Sequence, residues 1–377
     1  MASISVPDTK SMPDASKITQ DITPNTRELV RTCFYKRSKY YFPTLRPETH
    51  EFSDEVRRLF SRCYKTETPN LGALACLPQD ILEDIALSLD MDSFRRFRQV
   101  SRGARYLLTA ITAYRRVLRY APDALNALRR TDLSGHVSYE DVHSTLMTSK
   151  CAFCGLFGDF LFLPTAKRCC FKCLNTSPET AVVNEARIRG RAQWQCLYMD
   201  HAEDLSEALK STDVRSFKRH NWDDVYKMSK TRGVLAKDLL AAYIKVDKTL
   251  DSSDQPLLKR GWLHYRLAAS IIFPYHDVGT GKLRTGVSCK GCHIRRLQQS
   301  LSSHVPRVGG ILSELCQTQD RSYSEDEAVL HFSECPEAQR IWRTGAIGDF
   351  VSRWFLENGG FFYSKASIRR RQQESLW

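Results

Sequence analysis

Apolar residues recur at intervals of three and four through most patterned stretches of the chain and alternate only briefly. The sequence therefore predicts a mainly α protein with small β-hairpins. The densest pattern opens at Leu77-Pro78. Pro78 suits the first position of a helix, where its missing N–H breaks no bond. Ile81, Leu82, Ile85 and Leu89 follow at helical spacing on one predicted face. Asp92 reads as the N-cap of a second short helix carrying Phe94, Phe97 and Val100. Residues 106–119 continue helical, with Leu107, Leu108, Ile111, Tyr114, Val117 and Leu118 on one side, and Pro122 opens another helix to Arg130. Asp132-Leu133-Ser134-Gly135 reads as a turn and residues 137–147 as one more helix. Short helices of this kind bury too little apolar surface to stand alone, so the face beginning at Leu77 is expected to pack on something else.

Elsewhere the pattern is sparser. Residues 1–26 are rich in Ser, Thr, Asp and Pro and read as a flexible leader. Residues 27–65 read as two helical pieces broken near Pro43 and Pro47, with Phe52, Val56, Leu59 and Phe60 at helical spacing in the second. Residues 179–194, 201–209 and 234–250 are predicted helices, and Trp194, Trp222 and Trp262 are large enough to anchor separate contacts. Residues 266–273 read as a strand, and Gly279-Thr280-Gly281-Lys282 as a hairpin turn. That turn is not a phosphate loop: His276 stands where the first glycine belongs and Leu283 where Ser or Thr is required.

Thirteen cysteines bring chemistry into this picture. Cys151-Ala-Phe-Cys154 is followed, fifteen residues on, by Cys170-Phe-Lys-Cys173. Two such pairs fit a four-thiolate zinc site in which each pair makes a knuckle and the intervening segment a hairpin. Cys169 offers a second choice of ligand beside Cys170. Cys289-Lys-Gly-Cys292, with His331 and Cys335 at i and i+4 on a predicted helix, makes a second candidate, and His293 is an alternative ligand there. Four ligands leave no open coordination position, so both sites are expected to be structural. Cys33, Cys63, Cys76, Cys169, Cys196 and Cys316 read as small apolar packing residues.

The stretch 77–107 resembles an F-box. Leu77-Pro78, Ile81-Leu82, Ile85, Leu89, Phe94, Arg98, Val100-Ser101 and Arg105 stand where that motif expects them. It departs where the family often carries a late Trp, since Gly103, Ala104 and Tyr106 occupy that region. The match covers about 40 residues, the scale of a supersecondary motif. The resemblance implies that Leu77, Pro78, Ile81, Leu82, Ile85, Leu89, Phe94 and Val100 dock a Skp-type adaptor of a cullin-based ubiquitin ligase. The rest of the chain would then capture a protein substrate. The cysteine pairs and the late His/Cys pair are similar to those of a group of fungal F-box proteins. On this reading residues 1–26 are leader, 27–70 a helical segment and linker, and 71–120 the F-box. Residues 121–176 are then a helical extension with the four-Cys hairpin, 177–345 the substrate-binding region, and 346–377 a tail.

Composition adjusts the picture in two places. No apolar run reaches the length needed to span a bilayer and the first residues have no apolar core, so a cytoplasmic or nuclear protein without membrane contact is expected. Thiols in a reducing compartment argue for metal ligation over disulfides. The net charge of +13 raises nucleic acid as a partner, and residues 91–130 alone hold ten Arg against two Asp. An acidic protein explains such a stripe equally well, and the arginines lack the interleaved aromatics of a base-stacking platform. The basic run Arg369-Arg370-Arg371 reads as a solvated terminal patch. No paired carboxylates, nucleophile elbow or open metal site is evident, so no enzyme activity is expected. A zinc-containing nucleic-acid-binding regulator is the alternative.

Overall fold

The computed structural model describes residues 26–36, 71–185, 210, 214–218, 232–246, 266–295 and 321–345. The expected leader, the apolar set Phe52, Val56, Leu59 and Phe60, the helix at 201–209, Trp194, Trp222, Trp262 and the tail lie outside them.

The described chain is helix-rich with small antiparallel sheets, as the hydrophobic spacing predicts. Helix α1 (Thr26–Cys33) runs into a two-residue strand, β1 (Phe34–Tyr35). After a 3₁₀ turn over Gly72–Cys76 come six helices in close succession. They are α2 (Gln79–Ser88), α3 (Met91–Val100), α4 (Arg102–Ala110), α5 (Thr112–Tyr120), α6 (Pro122–Arg130) and α7 (Tyr139–Leu146). Their starts are chemically marked. Asp90, not Asp92, caps α3: its Oδ1 accepts from the backbone N–H groups of Asp92 and Ser93, both at 2.9 Å. Ser101 caps α4, and Ser138 with Asp141 forms a capping box on α7. Residues 106–119 are two helices, not one, because Ile111 adopts φ −56°, ψ 124°. The predicted inward set survives that break: Leu107, Leu108, Ile111, Tyr114, Val117 and Leu118 are all buried. Phe94, Tyr114 and Tyr139 pack as a mutual aromatic triad with centroids 4.7–5.0 Å apart.

Beyond this bundle the chain forms small sheets. Strands β2 (Phe160–Phe162) and β3 (Lys167–Cys169) make a hairpin, and α8 (Phe171–Thr176) follows. Strands β4 (Val182–Asn184), β5 (Ser216–Lys218) and β6 (Arg232–Leu235) form a sheet in the order β4-β6-β5, leading into α9 (Ala236–Val246). Residues 182–184, expected to be helical, thus pair as an edge strand. Strand β7 (Ser270–Ile272) adds to β2, with Phe160 opposite Ile272. Strands β8 (Tyr275–Asp277) and β9 (Lys282–Arg284) form the hairpin that the Gly279–Gly281 signal predicts, with Gly281 at φ +66°. Strand β10 (Ser288–Cys289) pairs with β1, and α10 (Glu325–Glu334) and α11 (Pro336–Thr344) complete the description.

Two large hydrophobic cores stand out among the described residues. The larger joins α2–α8 to the strands β2, β3, β6 and β7. The smaller gathers Leu29, Cys33 and Phe34 from the N-terminal segment with Val287, Cys289, Tyr323, Phe332 and Ile341. Arg168, 1% exposed, sits at the heart of the larger one. Its guanidinium donates to the carbonyls of Thr145, Gly158, Phe273 and Pro274 at 2.5–3.2 Å, tying α7 and β3 to the β7–β8 connection. Arg266, also 1% exposed, donates to the carbonyls of Leu174 and Ser177 and to the Thr180 hydroxyl. Burial lowers both guanidinium pKa values to about 10, and the Asp159 carboxylate partly offsets this at Arg168.

Candidate metal centres and docking face

The first cysteine group is built by a tight turn and a helix start. Cys151 accepts a backbone bond from Gly155, whose φ of +74° is cheap only for glycine, and the Cys151 N–H donates to Leu156. The Phe153 N–H points at the Cys151 sulfur at 3.5 Å. Across from it Cys170 occupies the N-cap of α8, and its Sγ accepts from the Cys173 N–H at 3.4 Å. Hairpin β2–β3 folds between the pairs, with Phe160, Leu161, Phe162 and Leu163 fully buried beneath them. The sulfurs of Cys151, Cys154, Cys170 and Cys173 all lie within 4.8 Å of one another, and Cys154 and Cys170 are 3.7 Å apart.

The second group joins the Cys289/Cys292 turn to the end of α10. Cys335 is not on that helix but is its C-cap, at φ −107°, ψ 98°. Cys289 and Cys335 sulfurs are 3.8 Å apart, and Cys292 Sγ is 3.2 Å from His331 Nε2. All four ligand atoms again fall within 4.8 Å of one another. The turn lies so close to α11 that a Cβ on Gly291 would stand 2.5 Å from the Ala338 backbone nitrogen. Tyr323 stacks on the His331 ring, centroids 4.4 Å apart at 19°, and fixes its plane. Of the alternative ligands, Cys169 is wholly buried in the core, and His293 hydrogen-bonds the Tyr35 hydroxyl; neither joins a cluster.

The sulfur–sulfur spacings of 3.7 and 3.8 Å match those around a tetrahedral ion. Thiolates about 2.3 Å from zinc stand about 3.8 Å from one another. Hydrogen bonds between the thiols, together with burial, shift their acidities in opposite directions. A hydrogen bond from the Cys170 thiol pulls Cys151 down to about 4, while Cys170 itself is raised and burial lifts Cys173 to about 12. In the second group Cys335 is lowered by hydrogen bonds from Cys289 and Cys292, and Cys289 is raised. Each cluster can hold a metal ion, and among the described residues each comprises four candidate ligand atoms.

The eight residues expected to form the docking face divide. Phe94 is fully buried in the larger core and Leu82 is buried at 4% exposure, so neither is available to a partner in this conformation. Leu77 and Leu89 are half-buried. Pro78, Ile81, Ile85 and Val100 are exposed, the last at 76%. Helix α2 therefore has two apolar faces, one through Leu82 and Ala86 toward the core and one through Pro78, Ile81 and Ile85 toward solvent. The periodicity alone merges them, because Ile81 and Leu82 are adjacent. Leu74 and Tyr106 add exposed apolar surface that the sequence pattern did not single out. Of the neighbouring arginines, Arg95, Arg96 and Arg102 are exposed, whereas Arg98 is buried and donates to the Thr109 hydroxyl.

Among the described residues no helix is long and apolar enough to cross a membrane. Comparison of the chain with protein-family models, with curated proteins and with solved structures finds no match.

Proposed function

We propose that the chain is an F-box-type substrate receptor of a cullin-based ubiquitin ligase, joining a Skp-type adaptor to a protein substrate. Structural zinc occupies both Cys/His groups on this reading. The observation that carries it is the outward apolar face that Pro78, the N-cap of α2, makes with Ile81 and Ile85, on a helix whose adjoining face is already buried. Such a face is stabilised by a partner, and the exposed Arg95, Arg96 and Arg102 favour one with an acidic surface. The receptor performs no bond chemistry. It raises the effective concentration of its substrate beside the ligase's catalytic subunits. The four-ligand clusters brace the region beyond the bundle, where the substrate would be held.

Co-expression with a Skp-type adaptor tests the reading. The wild-type chain should retain the adaptor through affinity purification, and Ile85→Asp or Leu77→Ala with Pro78→Ala should lose it. Adaptor binding that survives Ile85→Asp refutes the docking face. Salt-sensitive retention on duplex DNA, with no adaptor bound, would favour the nucleic-acid-binding regulator instead.

A further inference from the structure

The second cysteine cluster is not self-contained. Its first ligand, Cys289, lies on β10, whose antiparallel partner is β1, with Phe34 opposite Cys289 and Tyr35 opposite Ser288. Phe34 also packs edge-on against the ring of the ligand His331, at 6.2 Å, and against Tyr323, at 6.3 Å. Lys290, inside the Cys289–Cys292 turn, donates its ammonium to the carbonyls of Arg31 and Thr32 at 3.1 and 2.7 Å, at the C-terminal end of α1. The Cys33 thiol donates to the carbonyl of Ala338, in the first turn of α11. Leu29, Cys33 and Phe34 are each no more than 2% exposed. The first cluster differs: its turn bonds run between residues 149 and 177, and nothing in Thr26–Tyr35 enters the core around it.

We propose that metal binding at Cys289, Cys292, His331 and Cys335 and docking of the N-terminal segment Thr26–Tyr35 are one linked event. The second cluster acts as a metal-dependent clasp that fastens residues near the start of the chain to its C-terminal third. The inference rests on the zinc reading of that cluster given above. The logic is reciprocal. Zinc fixes the Cys289–Cys292 turn, the His331 ring and the Cys335 cap in one arrangement, which is the surface that α1 and β1 pack upon. A segment that binds only that arrangement must in turn raise the affinity for zinc by the same factor. Losing the metal frees β10 and the end of α10, and the segment then has no strand to pair with and no ring for Phe34 to meet.

The test uses the full chain, with zinc counted per chain and backbone hydrogen exchange followed by mass spectrometry. A graded chelator titration of the wild type should strip residues 29–35 of protection, exchange rising about tenfold or more, in step with residues 287–294. Cys335→Ser should do the same, whereas Cys151→Ser should leave 29–35 protected. In the reverse direction, Phe34→Ala should weaken the second zinc about fivefold or more and leave the first unchanged. A wild type that binds two zinc ions yet keeps residues 29–35 protected once the second is removed would overturn the clasp and leave the zinc reading intact. So would an unchanged second-site affinity in Phe34→Ala. A chain that binds no zinc at all sinks both together.

Discussion

Neighbouring residues on α2 provide the sharpest test of how this chain divides packing from recognition. Leu82 is 4% exposed and Ile81 is 46% exposed, although both are large aliphatics one position apart. Truncating Leu82 to Ala removes buried methyls and leaves a cavity. The expected cost is about 2–5 kcal/mol. With a urea dependence of about 2–3 kcal/mol per M, the unfolding midpoint should fall by about 0.7–2.5 M. Ile81→Asp places a carboxylate in solvent within the first turn of α2, where the helix dipole favours it, so stability should stay within about 0.5 kcal/mol of wild type. Far-UV circular dichroism in urea at fixed zinc separates the two. Adaptor capture should rank them the opposite way, with Ile81→Asp losing the partner and Leu82→Ala keeping it under conditions where it remains folded. If Ile81→Asp lowers the midpoint as far as Leu82→Ala does, the outward face is part of the core and the docking argument fails.

Three further outcomes follow from the geometry. Purified protein should carry about two zinc ions per chain by ligand count; Cys151→Ser and Cys335→Ser should each remove one by elemental analysis, and Cys169→Ser should remove none. Arg168→Met should destabilise by about 3–5 kcal/mol, read by denaturant unfolding, because it strands four buried carbonyls that the guanidinium now satisfies. Asp90→Ala should cost about 1 kcal/mol, and Asp90→Asn only a few tenths. Partial burial pushes the Asp90 carboxyl up, but its hydrogen bonds from Ser93 and Asp92 outweigh this and hold it below its usual value. A depressed folded pKa gives stability that is present above the unfolded carboxylate pKa and lost as pH falls through the folded one. The Asn variant should therefore show a shallower acid limb.

What the sequence discloses is what local chemistry determines. The two Cys-x-x-Cys pairs at 151–173 come together as their spacing implies, because each pair closes on itself and the hairpin between them is short. Pro122 opens α6, and the glycines at 279–281 turn β8 into β9. Local rules also mislead where two candidates share a rule: Asp90 and Asp92 are both good caps, and only the geometry of the α2–α3 corner selects Asp90. No Pro or Gly marks the break at Ile111, yet the same side chains turn inward because the inward direction repeats across it. The rest is invisible in principle. That Tyr35 meets His293, or that Lys290 reaches Arg31, joins positions more than 250 apart, and no periodic signal spans such a distance. Burial of Arg168 and Arg266 is likewise concealed, since a charged residue reads as surface until the carbonyls that receive it are known.

The two Cys/His clusters close loops of very different reach, and this sets where the molecule can tolerate growth. Cys154 and Cys170 are 16 positions apart, and the chain between them is consumed by β2 and β3, whose core side chains are wholly enclosed. One extra residue in either strand would turn every following side chain outward. Cys292 and His331 are 39 positions apart, and doubling that distance costs only about 0.6 kcal/mol of closure entropy. A one-residue insertion between Cys154 and Cys170 should accordingly be rejected, whereas lengthening the span between the two halves of the second cluster carries only this small closure cost.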